Sequence, residues 1–278
     1  MKAFDTNWYS RPIPPAEDAS PVLRVVESDI DLYYHMALEM YIRVKENARS
    51  NKDSVFIVPV GPTFQYRRFV WLCRKMPIDL SGLHLFFMDE YLVENDRLID
   101  PSGPLSFRGF IQRELLGPMK EVEGFRPEQV YFPDPRRTED YDRRLEDLGG
   151  AEVCFAGVGI NGHLAFNEPP EDGDPEFRNS PTRTLSLSRE TITINSNTAL
   201  GGAWEQIPAR AVTVGMRQIL SSRSLMIYLN RPWQRAVVRK LLYGPVGPHF
   251  PASYAQEHPS AVVTMTKEVA APPDFGLR

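Results

Sequence analysis

From residue 22 onward the chain switches repeatedly between short apolar runs and longer stretches whose apolar residues recur every three or four positions. Residues 22–26 read as a short strand, and Ser28 with Asp31 three residues later is a helix-start signal. Ile30, Tyr33, Met36, Ala37, Met40, Tyr41 and Val44 then mark one face of a helix. The run 55–60 is too short for a helix, is rich in β-branched residues and breaks at Gly61-Pro62, so it predicts a buried strand. The same logic gives helices over 63–75, 106–116, 138–148 and 234–242, and strands over 83–88, 153–156, 211–214 and 225–229. This alternation predicts an α/β fold with a mostly parallel, doubly wound sheet, right-handed crossovers and helices on both faces. Pro12, Pro14, Pro15 and Pro21 mark residues 1–21 as an irregular N-terminal arm. Residues 22–278 are expected to form a single α/β catalytic domain, and the acidic, proline-bearing segment 169–181 an exposed loop.

Ligands of such sheets bind beyond the carboxyl ends of the strands. Three predicted strand ends carry unusual residues: Gly61-Pro62-Thr63, Met88-Asp89-Glu90-Tyr91, and the glycine-rich segment 157–163. Asp89 and Glu90 end a mainly apolar run, so at least one carboxylate stands at the rim of the sheet, where burial raises its pKa and sharpens it as a base. A helix cap or a surface acidic pair would give the same local pattern. In the third segment, Gly157, Gly159 and Gly162 precede His163, and Glu168 follows five residues later, the makings of an oriented general acid/base pair. The glycine spacing also suits a dinucleotide turn, but Pro169-Pro170 cuts short the helix that such a site needs. His163 as a simple cap stays open on pattern alone.

Composition narrows the classes. The apolar fraction is 42%, the charged fraction is 24%, and no apolar run approaches the roughly 20 residues that span a bilayer. The opening residues lack the apolar core of a secretory signal, so a cytoplasmic location is expected. Cys73 and Cys154 sit in apolar runs and are expected to be buried, reduced thiols. A net charge of −4 with interspersed signs argues against nucleic acid as a partner.

Met88-Asp89-Glu90-Tyr91 and the Gly-x-Asn-Gly-His-Leu-Ala-Phe-Asn-Glu-Pro run at 159–169 resemble the two signature segments of the glucosamine-6-phosphate deaminase/isomerase family. Ser106-Phe107, Ala211-Val212-Thr213-Val214-Gly215 and Glu257-His258-Pro259 extend the resemblance over roughly residues 22–265. The related 6-phosphogluconolactonases share the Gly-His element but not the Phe-Asn-Glu-Pro that follows it here. The resemblance implies a small-molecule sugar or sugar phosphate as substrate, an aldose-to-ketose shift with release of ammonia, no metal or organic cofactor, and a homo-oligomer. It implies that Asp89 moves the proton between C2 and C1, that His163 moves a proton during ring opening, and that Glu168 and Asn161 hold the imidazole. Glu90 and Gly162 fall in the same segments and are expected at the substrate.

The chain departs from that family in places. Many members have aspartate where Asn161 stands; asparagine still accepts a hydrogen bond from the imidazole but brings no charge. The phosphate turn reads Gly61-Pro62-Thr63, and Pro62 has no N–H to offer an anion. Trp233 replaces a lysine, and the stretch 195–199 lacks an arginine that the family carries. Either Arg231, Arg67 or Arg68 supplies the missing cation, or the substrate has no phosphate and Trp233 stacks on it. A 6-phosphogluconolactonase-like hydrolase and a non-catalytic sugar-binding homologue are the other readings.

Overall fold

A computed structural model describes residues 8–14 and 21–276. Short β-branched and aromatic runs make its strands: β1 (Val22–Val26), β2 (Ser54–Val58), β3 (Leu83–Phe87), β4 (Asp89–Val93), β5 (Arg97–Leu98), β6 (Val130–Tyr131), β7 (Val153–Ala156), β8 (Arg183–Ser186), β9 (Arg210–Thr213), β10 (Ser224–Leu229) and β11 (Ala261–Thr266). The helices are α1 (Asp29–Arg49), α2 (Gln65–Lys75), α3 (Phe107–Ile111), α4 (Gly117–Met119), α5 (Thr138–Asp147), α6 (Arg189–Ala199), α7 (Met216–Leu220), α8 (Gln234–Tyr243) and α9 (Lys267–Ala270). Seven strands form a parallel sheet in the order β1-β11-β10-β7-β2-β3-β6.

Strands buried on both faces need cover on both, and the period of two sorts their side chains into separate cores. Val55, Ile57, Phe86, Cys154, Ile227 and Val263 pack with α5, α7, α8 and α9. Phe56, Val58, Phe87, Phe155 and Met226 pack on the other side with α1 to α4. Cys73 belongs to the second core and Cys154 to the first; both are buried and free.

The run 211–214 is extended, yet it lies outside the parallel sheet. It belongs to a second, antiparallel sheet ordered β5-β4-β9-β8. Met88 is the hinge between the two: its N–H bonds Val58 O at 3.1 Å, while its carbonyl accepts from Val214 N at 2.7 Å. The next residue, Asp89, opens β4 opposite Thr213. The expected helix over 106–116 is also interrupted, passing from α3 through a π-type turn at Gln112–Leu116 into α4. Of the N-terminal arm, residues 8–14 are described, and Arg239 and Tyr243 of α8 donate to Arg11 O and Pro12 O. The rest of the arm up to residue 20 lies outside the described residues.

Gly215 joins β9 to α7 where the chain passes close against another segment. A Cβ there would stand 2.1 Å from Ser180 O and 2.3 Å from the carbonyl carbon of Pro181. Gly215→Ala should therefore lower unfolding stability by about 1–3 kcal/mol, the cost of overpacking, measured by urea denaturation; wild-type stability would show that the two segments part freely.

Candidate active site

The strand order reverses between β2 and β7, since β3 and β6 run outward from β2 on one side and β10 and β11 from β7 on the other. Ligand crevices form at such switch points. A cavity of about 350 Å³ opens there, walled by the segments that follow β2, β3, β7 and β10 and roofed by α6. Gly61, Pro62, Thr63, Asp89, His163, Arg231 and Trp233 line it.

Asp89 is 7% exposed, and among the described residues no donor bonds its carboxylate. Burial first, and then the neighbouring charge of Glu90, push its carboxyl up to about 8. Glu90, expected at the substrate, does not line the cavity. Its side chain points the opposite way along β4 and accepts from Tyr91 N, Ser106 Oγ, Phe107 N and Arg108 N at 2.8–3.1 Å. That makes it the anchor for the first turn of α3, where an anion is favoured. Ser106, itself the N-cap of α3, shares the task.

His163 is brought under the end of β7 by a closed turn in which Gly159 N–H bonds His163 O and Gly162 N–H bonds Gly159 O, each at 3.0 Å. Gly162 has φ +89 and lies behind the turn, where a Cβ would strike the ring of Phe250; it does not line the cavity. The imidazole Nδ1 sits 2.8 Å from Asn161 Oδ1, 3.1 Å from Thr191 Oγ1 and 3.7 Å from Glu168 Oε2. Asn161 Nδ2 donates to Glu168 Oε2 at 2.6 Å and to Ser188 Oγ at 3.1 Å. A carboxylate only accepts, so Glu168 fixes which end of the Asn161 amide is which. The amide oxygen must then face Nδ1, and neutral His163 carries its proton there. Nε2, left without a partner among the described residues, holds the free lone pair on the cavity side. Burial alone would raise Glu168, but the imidazole of His163, the Thr191 hydroxyl and the Asn161 amide outweigh it and hold the carboxyl at about 2.

At the far end, Gln234 pins the loop after β10. Its Oε1 accepts from Asn230 N and Arg231 N at 2.9 Å, and its Nε2 donates to Val158 O at 2.8 Å. Arg231 lines the cavity, and among the described residues no acceptor bonds its guanidinium. Likewise no acceptor takes the N–H of Gly61, Thr63 or Phe64 at the entry to α2. Arg67 instead pairs with Glu114, and Arg68 bonds Phe64 O and lies over Tyr33 at 5.5 Å; neither lines the cavity. His258 serves a turn, bonding Ser222 O and Ser260 N.

The sequence alone assigns no site role to Tyr91, Tyr228, Gln234 or the α6 residues Ile194, Asn195 and Thr198, which also line the cavity. The first three sit in segments whose pattern was read. Their position one or two residues from a strand end, or at a helix start, was the available signal.

No family model matches the chain. It is 30% and 31% identical to glucosamine-6-phosphate deaminases 1 and 2 of Giardia intestinalis, over 80% of this chain and 81% and 82% of theirs. It is 28% identical to glucosamine-6-phosphate deaminase of Lachnoclostridium phytofermentans over 74% of this chain and 81% of that one. Among solved structures, a monomeric glucosamine-6-phosphate deaminase superposes with a TM-score of 0.75 at 21% identity, covering 90% of this chain and 99% of that one. A 6-phosphogluconolactonase from Thermotoga maritima superposes at 0.61 and 16% identity, over 88% and 99% of the two chains.

The raised carboxyl of Asp89 has a thermodynamic signature. Between pH 4 and about 8 the folded chain holds a proton there that the unfolded chain has released, so this contribution to stability is full at low pH and is lost as pH rises through that window. Asp89→Asn should be more stable than wild type at pH 9 by roughly 2–5 kcal/mol, with the gap closing toward pH 4 in denaturant titrations. A gap that does not change with pH would mean that Asp89 ionises normally.

Proposed function

The chain belongs to the glucosamine-6-phosphate deaminase family, and on that footing we propose that it converts glucosamine 6-phosphate to the corresponding ketose phosphate with release of ammonia. The observation that carries this reading is the pairing, in one cavity, of a buried carboxylate without a partner and an imidazole whose lone pair is turned inward. His163 Nε2 takes the proton of O1 and gives one to the ring oxygen as the C1–O bond opens. Asp89 then takes the C2 proton, and the C2–H electron pair moves to form an enolamine. The same proton is returned to C1, leaving an iminium at C2. Water adds to it, ammonia leaves, and a carbonyl remains at C2. Glu168 and Asn161 hold the imidazole, and no metal or organic cofactor takes part.

Arg231 and the open N–H groups of Gly61, Thr63 and Phe64 support a phosphate at the far end, where an anion would meet donors that nothing else engages. Two features favour a free amino sugar as the second reading: Pro62 offers no N–H, and Arg231, flanked by Trp233, is the one Lys or Arg among the described residues that line the cavity. Two buried, unpaired thiols suit a cytoplasmic setting.

Ammonia release from glucosamine 6-phosphate and from glucosamine tests the proposal. The phosphorylated sugar should turn over, with kcat/KM rising with pH as Asp89 ionises toward about 8. Asp89→Asn should lower kcat by at least about a hundredfold. Hydrolysis of 6-phosphogluconolactone without ammonia release from either amino sugar would replace this reading by the lactonase one. A separate comparison addresses the phosphate: Arg231→Ala should weaken binding of the 6-phosphate by roughly 1.5–3 kcal/mol and leave the free sugar unaffected. Equal binding of both sugars by wild type would favour the unphosphorylated substrate.

A further inference from the structure

Helix α6 is mostly polar, and apart from Ile192, which meets a small core cluster, its contacts run to the cavity and to the hydrogen-bond relay of Glu168, Asn161 and His163. Asn195 donates to Tyr91 Oη at 2.9 Å beside the cavity. One turn earlier, on the same face, Thr191 is fully buried with its Oγ1 3.1 Å from His163 Nδ1. Ser188, the N-cap, ties the helix to the rest of the relay. Its N–H donates to Glu168 Oε1 at 3.2 Å, its Oγ accepts from Asn161 Nδ2 at 3.1 Å, and its hydroxyl donates to Thr191 Oγ1 at 3.1 Å.

The Nδ1 proton thus lies between two neutral acceptors, Asn161 Oδ1 and Thr191 Oγ1. The charged partner, Glu168, stands at 3.7 Å, outside hydrogen-bond reach. Asn161 alone would leave the ring free to tilt about a single bond, whereas a second acceptor from a different element fixes its plane. We propose that Thr191 is a positioning residue through which the roof helix α6 sets the ring plane and the Nδ1-protonated tautomer of His163, keeping the Nε2 lone pair on the cavity side. The proposal rests on the ring-opening role given to His163 above.

Two variants and two readouts test it. Thr191→Val removes the hydroxyl at nearly constant volume, and Thr191→Ser keeps it. Thr191→Val should lower kcat on the cyclic sugar roughly five- to twentyfold with KM within about twofold, and Thr191→Ser should restore kcat to within about threefold of wild type. In ¹⁵N NMR spectra of the substrate-free protein, the His163 nitrogens should report the Nδ1-protonated tautomer in wild type and Thr191→Ser, and a mixture of tautomers in Thr191→Val. The spectra need no turnover. A wild type that releases no ammonia but shows this pattern would sink the deaminase reading and leave the positioning role standing. Equal loss of kcat in both variants would assign Thr191 to packing, and an unchanged tautomer in Thr191→Val would remove its hold on the ring; either result overturns the proposal.

Discussion

A carboxylate is costly to bury without a donor, and position 89 does so at the seam between two sheets. Met88 is bonded on one side to the parallel sheet and on the other to the antiparallel one, so the backbone at the seam cannot relax toward water. Alternation along β4 then sends successive carboxylates to opposite sides. Glu90 reaches the four donors at the start of α3, and Asp89 is left facing the cavity with none. The two neighbours therefore divide the labour of one acidic pair: one holds a helix in place, and the other keeps a raised proton affinity, the property that the proposed base needs near neutral pH. The cavity, its roof and the relay on its other wall are arranged around that unpartnered group.

On the opposite wall, order is passed inward from a charge. Glu168 stays ionised because the donors around it outweigh its burial, and an ionised carboxylate can only accept. That fixes the amide of Asn161, which in turn fixes the proton on His163. Asparagine at 161 is consistent with this arrangement: it separates charge from imidazole by one neutral link and turns electrostatic support into directional support.

The parallel sheet was legible because its strands are buried on both faces and read as unbroken apolar runs, as at 55–58 and 153–156. Asp89 and His163, picked out at or just after strand ends, are brought by the fold to one cavity. Glu90 was misread because a local pattern does not say which of two adjacent side chains turns inward; that depends on where α3 docks. Helix α6 left little trace. Its residues, rich in threonine and asparagine, have modest helix propensity and no continuous apolar stripe, since it covers the cavity and meets a core cluster only at Ile192. Strand β11 was passed over although Val262 and Val263 were visible, because Thr264 and Thr266 interrupt the run; both threonines are nevertheless buried in the middle of the sheet. The run 211–214 was legible as a strand but not its place in the antiparallel sheet, because its pairings with β4 and β8 join residues far apart in the chain.

Strand β11 lies between β1 and β10, and in the parallel sheet β1 pairs with β11 alone. Of the strands of this sheet, the first in chain order must therefore wait for the last. Until residue 266 is available, β1 has no neighbour and the edge of β10 stays open, which exposes unpaired backbone that invites association between chains. Closing so long a loop has an entropic cost that grows only slowly with length but must be met before the contact forms. Completion of the sheet therefore depends on β11, and nascent chains that stop short of it are left open at the same edge.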